Sequence, residues 1–209
     1  GYIIKNKHNV EKTEIPVEKK WIGPASVEQV TVKLFADGVD TGKTLTLKKS
    51  ENWKGKFTNL DKYKDGKKIV YTIKEVKVNG YESKIEGNAK DGFVITNKNV
   101  AKTKLPVEKK WEDNNNQDGK RVKEIIVKLV KNDVPTDKTI KLNEQNNWKG
   151  EFTDLDKYDA QGNEIKYTVK EETVVDGYNT EIVAGHVDGV VGFIIKNKHN
   201  VEKTEIPVE

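Results

Sequence analysis

Along most of the 209-residue chain, apolar and polar positions alternate with a period of two, the pattern of strands with one buried and one solvated face. Val30 to Phe35, Lys68 to Val76 and Phe93 to Asn97 are runs of this kind, rich in β-branched and aromatic residues. Between such runs lie turn-forming pairs. They are Asp37-Gly38, Asp65-Gly66, Asn79-Gly80 and Asp91-Gly92 in the first half, and Gln161-Gly162, Asp176-Gly177 and Asp188-Gly189 in the second. No segment of helix length keeps a 3.6-residue period. The pattern predicts an all-β protein of short strands and tight turns.

The pattern also repeats. Ile15-Pro-Val-Glu-Lys-Lys-Trp21 returns 90 residues later as Leu105-Pro-Val-Glu-Lys-Lys-Trp111. Asn52-Trp-Lys-Gly-Lys-Phe-Thr58 returns after 95 residues as Asn147-Trp-Lys-Gly-Glu-Phe-Thr153. Tyr71-Thr-Ile-Lys-Glu75 returns after 96 as Tyr167-Thr-Val-Lys-Glu171, and Ile95-Thr-Asn-Lys98 after 100 as Ile195-Lys-Asn-Lys198. The growing offset places small insertions between fixed elements; the largest lengthens the loop Glu112 to Lys120 by five residues. Residues 1–18 and 192–209 are identical except for Tyr2 against Phe193. With the absence of methionine, this reads as a piece of a longer tandem array. The expected division is a last-strand remnant and linker at 1–11, a domain at 12–100, a second at 101–200, and a linker with the start of another repeat at 201–209. Seven or so short strands per unit suggest two tandem Greek-key β-sandwich domains.

Strand alternation has an uncomfortable consequence in three places per unit. A strand that buries Val17 and Trp21 also turns Lys19 inward, while Glu18 and Lys20 face out. Burying Tyr71 and Ile73 brings in Glu75, and burying Phe93 and Ile95 brings in Asn97. The second unit repeats this with Val107/Lys109/Trp111, Tyr167/Val169/Glu171 and Phe193/Ile195/Asn197, leaving Glu172 outside. A buried lysine, carboxyl group and carboxamide are each costly alone. Together they can react, the lysine and asparagine ending as one neutral amide. An ordinary salt bridge beside a capping asparagine, with Lys19 snorkelling outward, is the alternative on the residues alone.

Composition narrows the field. Hydrophobic and charged residues are each 34%, so a core requires efficient strand patterning. The net charge of +4 comes from 38 basic and 34 acidic residues intermixed along the chain, with no basic stripe, which argues against nucleic-acid binding. There is no cysteine, hence no disulfide and no thiolate metal site. No apolar run approaches membrane-spanning length.

The ordered series V-E-K-x-W, N-W-x-x-x-F-x-x-L, Y-T-[IV]-K-E, N-G-Y or D-G-[YF], and I-x-N-K resembles the collagen-adhesin B-type (Cna-B) repeat of Gram-positive surface adhesins and pilins. The resemblance covers essentially the whole chain, twice. It implies an inverse immunoglobulin-like sandwich with first and last strands adjacent, and a spontaneous intramolecular isopeptide bond between a first-strand lysine and a last-strand asparagine. Carried onto this sequence, the bonds are Lys19–Asn97 and Lys109–Asn197, promoted by Glu75 and Glu171. In that chemistry burial lowers the lysine pKa and raises that of the carboxyl group, so that the neutral pair becomes accessible. The amine then attacks the carboxamide carbon while the protonated carboxyl group bonds the carboxamide oxygen. Such a unit modifies itself once and is not an enzyme with turnover. The resemblance further implies a stalk or spacer on the extracellular, cell-wall-anchored surface of a Gram-positive bacterium. Its partners would be neighbouring repeats and, through other domains, a host extracellular-matrix protein. The alternative is an adhesin module that binds such a protein itself. A monomer without cofactor or metal is expected.

Other signals have plainer readings. Trp21, Trp53, Trp111 and Trp148 share parity with core positions, which favours core packing over sugar stacking. Glu112-Asp-Asn-Asn-Asn-Gln-Asp-Gly119 has the composition of a calcium loop, but its glycine is one place late and no helices flank it, so a solvated loop is expected. His8, His186 and His199 are scattered, with His8 and His199 at equivalent linker positions. The I-P-V-E and L-P-V-E strings lack the Thr-Gly of a sortase signal, and no Tyr-Pro-Lys pilin motif is present. The segment around Asn6, an asparagine without its own lysine, could add as a strand to another molecule.

Overall fold

The computed structural model describes residues 1–209. The chain divides into two compact units, Gly1–Ala101 with Tyr158–Asn163, and Lys102–Lys157 with Glu164–Glu209. Unit 1 contains β1 (Lys12–Ile22), β2 (Gln29–Ala36), β3 (Val39–Lys48), β4 (Lys54–Asp61), β5 (Tyr63–Lys64), β6 (Lys67–Lys68), β7 (Tyr71–Glu75), β8 (Tyr81–Asn88) and β9 (Gly92–Asn99). Unit 2 contains β10 (Lys102–Glu112), β11 (Glu124–Lys131), β12 (Val134–Asn143), β13 (Lys149–Asp156), β14 (Tyr167–Glu171), β15 (Asn179–Val187) and β16 (Val190–Lys198).

Unit 1 pairs a four-stranded sheet, β4-β1-β9-β8, with a three-stranded sheet, β3-β2-β7; β5 and β6 form a separate ribbon. Unit 2 repeats the two main sheets as β13-β10-β16-β15 and β12-β11-β14. The alternating pattern explains the sandwich. Val30, Val32 and Leu34 of β2 and Ile73 of β7 meet Ile15, Val17, Phe57, Phe93 and Ile95 of the facing sheet, all buried. In unit 2, Val107, Ile125, Val127, Leu129, Phe152, Val169 and Ile195 do the same.

First and last strands run side by side and parallel. Val17 stands opposite Phe93, Lys19 opposite Ile95 and Trp21 opposite Asn97; in unit 2 the pairs are Val107/Phe193, Lys109/Ile195 and Trp111/Asn197. This pairing starts just after Pro16 and Pro106, which have no N–H to give it. The start of each last strand must come very close to that proline. A methyl group on Gly92 would lie 2.9 Å from Pro16 Cγ, and one on Gly192 would lie 2.1 Å from the Pro106 carbonyl oxygen. Only glycine permits that approach.

Several turns form as their residues dictate. Asp37-Gly38, Asp65-Gly66 and Asp188-Gly189 all take positive φ at both central residues, as two-residue hairpins require. The recurring Asn-Trp pair has a purpose that alternation did not reveal. After a single 3-10 turn (Lys49–Glu51; Glu144–Asn146), Asn52-Trp53 and Asn147-Trp148 enter the left-handed region, at φ 55°/59° and 55°/57°. Each tryptophan carbonyl then accepts the backbone N–H of the inward lysine, Lys19 or Lys109, at 2.8 Å.

Residues 1–11 form no strand and are exposed, Tyr2, Ile3 and Ile4 included, because no strand lies beside them to satisfy their backbone groups. Residues 201–209 likewise form no strand. The four tryptophans are half-buried and pack around the core's rim. The loop after β10 is also not simply solvated, as described below.

Candidate functional site

The parallel pairing of β1 with β9 sets Lys19 and Asn97 two register positions apart on one inward face. Glu75 comes from the opposite sheet, where β7 pairs with β2 and Glu75 stands opposite Val32. The three side chains converge between the sheets. Lys19 Nζ lies 2.9 Å from Glu75 Oε2, and the two side chains are 0% and 3% exposed. Asn97 is fully buried and donates from Nδ2 to Glu75 Oε1 at 2.7 Å. The lysine contact is an ion pair without hydrogen-bond alignment, since Nζ and Oε2 find no properly directed partner. The carboxyl group of Glu75 thus spans both nitrogens.

Unit 2 brings Lys109, Glu171 and Asn197 together the same way. Lys109 Nζ lies 3.3 Å and 3.4 Å from the two Glu171 oxygens. The Asn197 Nδ2 donates to Glu171 Oε2 at 3.3 Å and to Thr180 Oγ1 at 2.7 Å. Each lysine nitrogen sits 4.4 Å from the ring centre of its strand neighbour, Trp21 or Trp111. Those indoles stack edge-on with Trp53 and Tyr81, or with Trp148 and Tyr178, at 4.9–5.2 Å. The aromatic ring excludes water from the lysine.

That exclusion shows in the lysine acidity. Burial pulls Lys19 below its ordinary value despite the opposing pull of Glu75. Lys109 is drawn down to about 8 by burial, again against Glu171. A proton on either lysine is therefore loosely held, with a carboxyl oxygen adjacent to receive it. Asn97 Oδ1 and Asn197 Oδ1 are buried and accept from no protein donor. The expectation had the glutamate on this oxygen; here a glutamate oxygen accepts from Nδ2 instead.

A second cluster belongs to unit 2 alone. Asp113, with a side chain only 1% exposed, takes a bidentate Arg121, at 2.7 Å from Nε and 2.6 Å from Nη2, and the Tyr178 hydroxyl at 2.7 Å. Arg121 holds its pKa down to about 2, while burial and Asp113 push Tyr178 up to about 12. Both oxygens of Asp113, the best-placed carboxylate of the calcium-like loop, are thereby committed. Farther along, His199 Nδ1 lies 2.7 Å from the Gly177 carbonyl and Nε2 lies 2.8 Å from Asp118 Oδ2. Asp118 also accepts the Glu202 backbone N–H at 2.9 Å. His199 is thus buried and engaged, whereas His8, identical in sequence context, is exposed. Nothing in the local sequence separates the two histidines; the distant Gly177, Tyr178 and Asp118, which face His199, do.

A two-sheet sandwich with parallel first and last strands, holding Lys, Asn and Glu between its sheets, defines a β-sandwich module that the chain carries twice. The Cna protein B-type domain matches at residues 15–98 and again at 105–198. The chain belongs to that family, in two tandem copies. It is 43% identical over 214 residues to the collagen adhesin of Staphylococcus aureus, a match covering 99% of this chain. The chain spans 17% of that adhesin's length. Among solved structures it is similar to a single B repeat unit of the S. aureus collagen-binding surface protein, with 41% identity, covering 91% of this chain and 100% of the other, at a TM-score of 0.43. A two-repeat structure of the same protein gives 40% identity, 93% and 51% coverage, and a TM-score of 0.43.

Proposed function

We propose that the chain is a spacer segment of a Gram-positive cell-surface adhesin, stiffened by one self-formed Lys–Asn amide per unit. The observation that carries this is the burial of Lys, Asn and Glu against one another where the first and last strands run parallel. Once the shared proton moves from lysine to glutamate, the neutral amine adds to Cγ of the asparagine. The new carboxylic acid, already beside the carboxamide, now carries a proton to give it. The Nζ–Cγ bond forms, one amine proton passes through the glutamate to Nδ2, and the Cγ–Nδ2 bond breaks to release ammonia. The glutamate is regenerated. Folding holds the reactants in place, and each unit reacts once.

Lys19 and Asn97 are 78 residues apart in the chain, and Lys109 and Asn197 are 88 apart. Treated as a crosslink on the unfolded chain, each bond stabilises by roughly 4–5 kcal/mol. The mechanical effect is larger. In each unit, tension entering along the first strand crosses the amide and leaves along the parallel last strand, so that the segment between lysine and asparagine carries none. This suits a spacer that holds other domains, including one for a host matrix protein, away from the cell wall. Intact-mass measurement tests the reading: the folded chain should weigh less than its sequence by two molecules of ammonia.

A further inference from the structure

The two asparagines are held differently, and the difference traces to one neighbouring position. In unit 2, Thr180 of β15 stands directly opposite Asn197 of β16, and its Oγ1 accepts Nδ2–H at 2.7 Å. Glu171 is left with the longer contact to the same nitrogen, 3.3 Å. In unit 1 the residue opposite Asn97 is Ser83, which makes no hydrogen bond to it, and Glu75 alone takes the nitrogen at 2.7 Å.

We propose that Thr180 is a positioning residue for the Lys109–Asn197 crosslink, its hydroxyl holding the nitrogen that departs as ammonia. This rests on the crosslinking reading above. When Lys109 Nζ adds to Cγ, the carbonyl electron pair moves to Oδ1 and Nδ2 becomes a basic, pyramidal amine. Glu171 gives Nδ2 a proton and recovers one from Nζ. The Cγ–Nδ2 pair then leaves with the nitrogen as the carbonyl re-forms. Through these steps Nδ2 passes from a neutral amide to a protonated amine, so its N–H bond to the threonine oxygen strengthens on the way to the transition state. The acceptor thus aids reaction more than it aids the resting amide. It also shares with Glu171 the holding of Nδ2, which Glu75 does alone in unit 1. Thr180 lies on an edge strand and is exposed, while Asn197 is fully buried. Its hydroxyl therefore sits where the buried carboxamide meets solvent, and replacing it leaves the core intact.

The test uses the full chain made by cell-free synthesis and sampled over time, with the two crosslinked peptides quantified separately by mass spectrometry after digestion. The unit 1 bond serves as an internal clock. Thr180→Val should slow the Lys109–Asn197 bond about tenfold relative to Lys19–Asn97, the effect of leaving one buried N–H without its acceptor. Ser83→Thr, which gives unit 1 the residue of unit 2, should speed the Lys19–Asn97 bond relative to Lys109–Asn197. An unchanged ratio in Thr180→Val, or in Ser83→Thr, would overturn the assignment. If the unsubstituted chain forms the unit 1 bond normally, either result counts against Thr180 alone. If it forms neither bond, the crosslinking reading itself falls.

Discussion

In unit 1 the carboxylate of Glu75 holds the lysine at 2.9 Å and the carboxamide at 2.7 Å; in unit 2 that of Glu171 stands 3.3 Å from each. Strand register is the same to the residue in both, so the difference arises around the site and not from the scaffold. Unit 2 adds a hydroxyl on the asparagine, a longer loop after its first strand, and the Asp113–Arg121–Tyr178 cluster built from that loop. The parallel first and last strands determine which side chains meet. Edge residues and loop length adjust how tightly they are held.

The comparison breaks hardest at the carboxyl group. Glu75→Gln removes the proton carrier of unit 1 only, so the chain should lose one ammonia in place of two. Unit 1 should melt as a module weaker by roughly 4–5 kcal/mol while unit 2 keeps its bond. Loss of both bonds would mean that the units do not react independently. Calorimetry with intact mass reads both outcomes.

A smaller effect separates the units from the other side. Arg121→Ala strands the buried Asp113 carboxylate and should destabilise unit 2 by about 2 kcal/mol, leaving unit 1 unchanged. Denaturant melts followed by unit-specific hydrogen exchange would show it, and equal loss in both units would refute the assignment.

Acidity offers a third comparison. The reactive pair holds one shared proton, whether written as ammonium and carboxylate or as amine and acid. In unit 2 that proton is lost near the lysine value of about 8, so crosslinking should slow roughly tenfold per pH unit above it. Time courses of peptide crosslinking at several pH values measure this. A rate that rises through pH 8 would show that amine deprotonation limits the reaction and that the acid is dispensable.

The smallest effect concerns His199, whose two ring nitrogens both face oxygens. Only the doubly protonated ring satisfies both, and the Gly177 carbonyl and Asp118 raise its pKa, with burial and then Lys120 opposing. A raised folded pKa means that the contribution is complete below the unfolded histidine value and is lost as pH rises through the folded one. The Glu202 amide, held by Asp118, should therefore exchange faster above that value, and the Lys62 amide of unit 1 should show no matching step. A Glu202 amide with no such pH step would rule out the histidine tether.

Much of this was legible in the residues. Alternation separated Lys19 from Lys20 and Glu171 from Glu172, because a sandwich leaves each strand only two faces. The repeat assigned lysine to a first strand and asparagine to a last. What stayed hidden depended on other parts of the chain. Thr180 is an ordinary strand residue until β15 is set beside β16. His8 and His199 share their neighbours in sequence, and only contacts from the distant Gly177, Tyr178 and Asp118 distinguish them. The left-handed Asn-Trp turn was visible as a motif, but its role became clear only with the lysine N–H that it receives.

The most direct test of the account is the intact mass of the purified, fully folded chain, read again after denaturation. A deficit of two ammonia molecules that survives denaturation is the predicted result, with Lys19–Asn97 and Lys109–Asn197 as the joined peptides. A mass equal to that of the sequence would leave two buried ion pairs beside two asparagines, and would contradict the account.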